Sequence, residues 1–234
     1  MLKICRLIHV RLIPTAIILW LTNMSLSIKI GSNLSRATAI SAIVRKMPLE
    51  RHQDVAIRFF EKFVSNCKVI MLLHEAGVTD EAYAIHRLSM EHLFNISALL
   101  KDKNFLEQLH AGSEAQIPKM LKAIKSDSER SKNSVLTNEN QVLVEATLND
   151  YDQNPVSDLG YSVFNAAQKS EFADFYNSHY RRISLSYAHS TMVSVLQDGD
   201  KLNEVSQLLT NVSDLLEIAV KLIEREFDLS EKQH

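Results

Sequence analysis

Apolar residues recur at three- and four-residue spacing along most of this chain, and no stretch alternates as a strand requires. Val55, Phe59, Phe60, Phe63, Val64, Cys67, Ile70, Met71 and Leu73 trace one side of a long helix over 49–76. Pro48 ends a preceding helix over 35–47 and opens this one, and Gly77 supplies its stop. Thr79 N-caps the next helix, with Asp80 and Glu81 in the first turn, where the dipole favours acids. That helix runs over 80–101. On a wheel, Ile85, Leu88, His92, Ile96 and Leu99 form one face, and Tyr83, Arg87, Phe94 and Ala98 a second. Leu93 and Leu100 fill a third sector. A helix apolar on most sides is a central member of a bundle. Two more strong helices are predicted, over 171–197 and 201–227. The last carries a stripe from Val205 through Leu209, Val212, Leu216 and Val220 to Phe227, with Glu204, Asp214, Glu217, Lys221 and Arg225 outside.

Between 104 and 170 the pattern weakens. A short helix or turn covers 104–112, and 114–133 is loosely amphipathic, with a basic run of Lys119, Lys122, Lys125, Arg130 and Lys132. Residues 126–134 read as a loop. Thr137 caps a helix to about 152, and Asn154-Pro155 and Gly160 break the chain again. The expected fold is all-α: an antiparallel helix bundle of four to five long helices, with 104–170 as a variable helical and loop elaboration. Short connections at 77–78 and 198–200 imply antiparallel neighbours.

Composition agrees. The 234 residues include only 5 Gly and 4 Pro, too few for a turn-rich β fold. The net charge of −2 gives no global basic field for nucleic acid, and there is no strong membrane or DNA signal. Cys5 and Cys67 lack metal or redox spacing and read as reduced thiols, which suits a cytoplasmic setting. Residues 1–33 stand apart. Lys3, Arg6, His9 and Arg11 precede an uncharged apolar stretch over 12–28 that is short for a membrane span and carries Pro14 and Asn23. It reads as a signal or weak anchor, an extra amphipathic helix, or an upstream extension. Residues 34–234 read as one helical domain.

Candidate chemistry concentrates on the helix at 80–101. Arg87 and Glu91 are one turn apart, and Asn95 continues the polar stripe. Amid apolar neighbours such a pair is either a structural lock or a binding site, since an Arg fork held by a Glu suits a carboxylate or phosphate. Arg87 and His92 also fit the Arg-x4-6-His pattern of the helical superfamily named for "higher eukaryotes and prokaryotes nucleotide-binding" (HEPN). That resemblance implies, for its ribonuclease members, Arg87 on phosphate charge and His92 in proton transfer. On the wheel His92 lies about 140° from Arg87, which favours a core histidine.

A second constellation spans Tyr180 to His189. Ser186 and His189 share a face as a hydrogen-bonded core pair, or His189 meets Glu91 across two helices. No histidine stands in metal-binding spacing, so neither metal nor cofactor is expected.

Gly77-x2-Asp80-Glu-Ala82 with Arg87-x3-Glu91 and Leu99-Leu-Lys-Asp102, together with the Tyr180–His189 segment, resembles a mostly prokaryotic helical family known only as a domain of unknown function (the 5677 family). The resemblance covers 59–103 and 172–192, and implies that Arg87, Glu91 and His189 matter. Two functions follow as expectations. One is a ribonuclease-like or nucleotide-handling component of a bacterial defence or toxin system. It would act on RNA or a nucleotide, as a homodimer if the superfamily likeness holds. Its catalytic residues would be Arg87, Glu91, His92 and His189, with Asn95, Tyr180 and Ser186 binding. The other is a non-enzymatic interaction module whose polar cluster fixes helix register.

Overall fold

The computed structural model describes residues 15–131, 136–157, 159–188 and 201–229, and every regular element among them is helical. The helices are α1 (Thr15–Val44), α2 (Arg51–Glu75), α3 (Thr79–Lys101), α4 (Phe105–Glu114), α5 (Ile117–Arg130), α6 (Asn138–Gln153) and α7 (Val163–Lys169). A mixed helix α8 over 173–188 and the last helix α9 (Lys201–Glu226) follow. The protein is therefore all-α. Its contacts divide into two compact units. One holds 1–47, 61–89 and 182–234, the other 48–60 and 90–181.

In the first unit, α1 lies along α9. Ser206 donates to Asn23 at 2.7 Å, Lys29 meets Glu217 at 3.1 Å, and Arg36 reaches Glu224 at 2.6 and 2.7 Å. Partner numbers rise together, so the two helices run parallel. Ile30, Ala37, Ile40 and Val44 of α1 are buried, as are Leu208, Leu209, Val212, Leu216 and Ile223 of α9. The sequence pattern begins a helix only at residue 35, yet α1 starts 20 residues earlier. Ile30 extends the buried spacing of 37, 40 and 44 backwards by seven residues. Gly31 does not stop it, because an isolated helical glycine costs only about 1 kcal/mol against alanine. Residue 33 falls inside this helix. On α2, Glu61 accepts from Ser41 and Arg45, each at 2.8 Å, tying α1 to α2.

α2 ends as its sequence requires. Gly77 takes φ +73°, its N–H bonds the carbonyl of His74, and Val78 bonds that of Leu73. This is the Schellman arrangement, which favours a residue without Cβ at that point. The same reach from Leu229 to Glu224 closes α9, with Asp228 at φ +49°.

In the second unit, α5 and α6 are antiparallel: Lys122 meets Asp152 and Lys125 meets Glu145. α5 continues to Arg130, through much of the stretch expected as loop. Thr137 caps α6 by accepting from the Asn140 N–H, and Ser162 caps α7 through Asn165. A Cβ on Gly112 would collide with Tyr161, so the bare backbone there lets Tyr161 approach α4.

Candidate functional site

Several polar residues of α3 have their partners in the segment 161–184, each within one of the two units. α8 is not a regular helix. Ala173–Phe175 and Arg181–Ile183 are α-helical, but Tyr176–Tyr180 and Ser184–Ala188 are π-helical turns. π turns recur at functional sites because an inserted residue re-aims the side chains around it.

Within the second unit, the Tyr180 hydroxyl donates to Glu91 Oε1 at 2.7 Å. Tyr180 is only 5% exposed and Glu91 is half-buried. An aromatic set packs on the Tyr180 ring and its neighbour Tyr176. Tyr176 stacks on Tyr180 at 4.9 Å, Phe94 meets Tyr180 edge-on at 5.9 Å, and Phe164 meets Tyr176 edge-on at 5.4 Å. Such pairs stabilise beyond their buried area, by about 0.5–1.5 kcal/mol each. Asn95 is buried one turn further, and its Oδ1 accepts from the Tyr161 hydroxyl at 3.3 Å. Burial pushes the Tyr161 hydroxyl above its ordinary range, with the Glu91 charge adding to the rise, so it remains a donor. Further along α3, buried Ser97 accepts from the Glu171 N–H, and Asp102 pairs with Lys169 at 2.8 Å. That bond is the largest cause of the lowered Asp102 pKa.

Within the first unit, Arg87 Nε donates to Ser184 Oγ at 3.2 Å. One turn earlier, Tyr83 stacks on Tyr187 at 4.2 Å with an interplanar angle of 10°. The Tyr83 hydroxyl donates to the Glu204 carbonyl at 2.8 Å. Burial is the main cause holding that hydroxyl protonated.

His92 sits elsewhere. Its ring is tilted against Phe59 of α2 at 5.6 Å, in the second unit, whereas Arg87 reaches Ser184 in the first. Leu88, expected on the apolar face with His92, is exposed. Ser186 is half-buried in the second π turn, and His189 lies outside the described residues. Among the described residues no three His, Cys, Asp or Glu gather as a metal site, and no helix is long and apolar enough to cross a membrane.

Sequence reasoning picked Arg87, Glu91, Asn95 and Tyr180; Arg87 bonds Ser184, Asn95 bonds Tyr161, and Glu91 and Tyr180 bond each other. It missed Ser184, Tyr187 and Tyr161. For the first two a signal existed: four and seven residues after Tyr180, they share its helical face, and Ser186 does not.

The model of a family described as "Family of unknown function (DUF5677)" matches residues 53–204. No curated protein and no solved structure matches the chain.

Proposed function

The chain belongs to that family of unknown function, and on this premise we propose that the polar side of α3 handles a phosphate-bearing ligand, RNA or a nucleotide, in a bacterial defence or toxin system. The observation that carries the reading is the bond from Arg87 Nε to Ser184 Oγ, which joins two segments far apart in sequence at a π turn. Arg87 is the anion-gripping group. A planar guanidinium held at Nε by a hydroxyl is already oriented, and less freedom is lost when phosphate oxygens bind. Glu91, held by Tyr180, and Asn95, held by Tyr161, are the further polar residues of α3 in this reading. His92 and His189 are the proton-transfer candidates, because imidazole titrates near neutrality. Antiparallel bundling of the helices expected over 49–76, 80–101, 171–197 and 201–227 within one domain over 34–234, homodimerisation and a cytoplasmic setting belong to the same proposal.

The test is RNA cleavage and nucleotide binding by the purified chain. Arg87→Ala is expected to lose the activity while keeping the wild-type melting curve, and His92→Ala and His189→Ala separate the two proton-transfer candidates. A folded wild type inert towards RNA and nucleotides overturns the reading.

One observation favours a second reading, an interaction module with a structural lock: the Tyr180 ring that bonds Glu91 is buried and packed against Phe94 and Tyr176. On that reading Tyr180→Phe lowers stability, and no variant of the cluster has an activity to lose.

A further inference from the structure

The second unit holds a cleft of about 350 Å³ lined by Arg51, Lys103, Leu106, Glu107 and His110. Arg51 is the first residue of α2, and Lys103 stands in the turn between α3 and α4. Leu106 and Glu107 lie four and three residues before His110 on α4, so the three share one helix face. Pockets that take small organic ligands begin near this size, at about 300 Å³.

The cations of this cleft are not neutralised by the protein. Among the described residues, Arg51 and Lys103 meet no acid. The acids beside them in sequence are engaged with other groups. Glu50 lies 3.5 Å from His52. Asp102 accepts from Lys169 at 2.8 Å and from the Asn104 N–H at 3.0 Å. His110 adds a ring N–H donor. Its Nε2 is 4.0 Å from Glu114, which also accepts from the Tyr151 hydroxyl at 3.2 Å. The carboxylate of the lining, Glu107, makes no ion pair with Arg51, Lys103 or His110. The cleft therefore offers two uncompensated positive charges and a carboxylate that is still able to accept.

We propose that this cleft binds a small phosphate monoester that also carries hydroxyl groups, such as a sugar phosphate. Arg51, Lys103 and His110 take the phosphate. A guanidinium fork, an ammonium and a ring N–H suit its three oxygens and two charges better than a carboxylate, which has two oxygens and one charge. Glu107 accepts from a ligand hydroxyl. A ligand ammonium is disfavoured there, because Arg51 and Lys103 in the same cleft repel it. Leu106 lies against the carbon skeleton. The site contains neither Arg87 nor any other residue of α3, so it stands or falls separately from the function proposed above.

The test is calorimetric titration of the full chain with inorganic phosphate and with ribose 5-phosphate, at an ionic strength fixed with chloride. The wild type is expected to bind both, and ribose 5-phosphate more tightly. Arg51→Gln with Lys103→Gln is expected to weaken both at least about tenfold, and to melt like the wild type because both side chains are exposed. Should that variant misfold, Lys103→Gln alone is the milder substitution, with the same expected direction. Glu107→Gln is expected to weaken ribose 5-phosphate but not inorganic phosphate. Lys62→Gln with Lys119→Gln removes the same charge at exposed positions outside the lining and is expected to bind like the wild type. A wild type that binds neither probe overturns the proposal. So does a folded Arg51→Gln with Lys103→Gln that binds like the wild type, or a charge-matched variant that loses as much affinity as it does. A Glu107→Gln that keeps full affinity for ribose 5-phosphate overturns the assignment of a hydroxylated ligand.

Discussion

At the scale of single residues, the Tyr180 hydroxyl is the most informative atom. It belongs to a ring only 5% exposed and donates to the half-buried Glu91 carboxylate, a bond to a charged group and so among the stronger ones. Tyr180→Phe keeps the ring and removes the donor, so it should lower unfolding free energy by about 1.5–3 kcal/mol. Urea denaturation checks this, and an unchanged midpoint would show that Glu91 is satisfied by other means. Cys67 gives a second expectation. Burial pushes its thiol up to about 12, so the reactive thiolate is absent near neutral pH. In a Cys5→Ser background the native chain should resist a thiol reagent at pH 8 and react at the rate of unfolding. Glu217 gives a third. Its bonds to Lys221 first and Lys29 second lower its pKa from the ordinary 4.5 to about 2. A carboxyl with a depressed folded pKa adds stability that is full above its unfolded pKa and is lost as pH falls. The loss here runs between pH 4.5 and about 2. Glu217→Gln should flatten that part of the pH–stability curve. Because the group is exposed, the effect should shrink in salt.

At the scale of elements, the helices were legible because their apolar spacing, caps and stops all agree: Gly77 ends α2, Thr137 starts α6, and the stripe of α9 is buried along its length. Two features escaped. The first is the extent of α1, since a helix within 1–33 is only one of three readings that the sequence leaves open there. Its first turns carry apolar residues on two sides, so no single stripe announces a helix there. The second is the pair of π turns in α8. Helical periodicity assumes a constant twist, and an inserted residue leaves no mark in composition. The site followed suit: Arg87, Glu91 and Asn95 stood out as polar residues among apolar ones, whereas Ser184 is one serine among several until the partner helix is placed. Gly112 shows how a distant element supports the site. Gly112→Ala forces its Cβ into Tyr161, the donor to Asn95. We expect a loss of about 1–3 kcal/mol by thermal melting, together with perturbed Tyr161 signals in NMR spectra. Gly112→Ala with an unshifted melting temperature would show that α4 yields freely.

At the scale of the molecule, the chain is an all-helical member of a family of unknown function. The parallel seam of α1 and α9 brings residues 23–36 against 206–224, so a region that reads as an appendage in sequence is held by a run of paired side chains. Arg36 and Glu224 close that run bidentately, and the Glu224 side chain is only 10% exposed. The proposed function rests on Arg87. The most direct measurement is growth of a bacterial host on induced expression of the intact chain and of Arg87→Ala, with soluble yield measured for both. The account predicts arrest by the wild type and relief by a soluble, folded Arg87→Ala. A soluble wild type that leaves growth unaffected, or an Arg87→Ala that arrests growth equally, would contradict it.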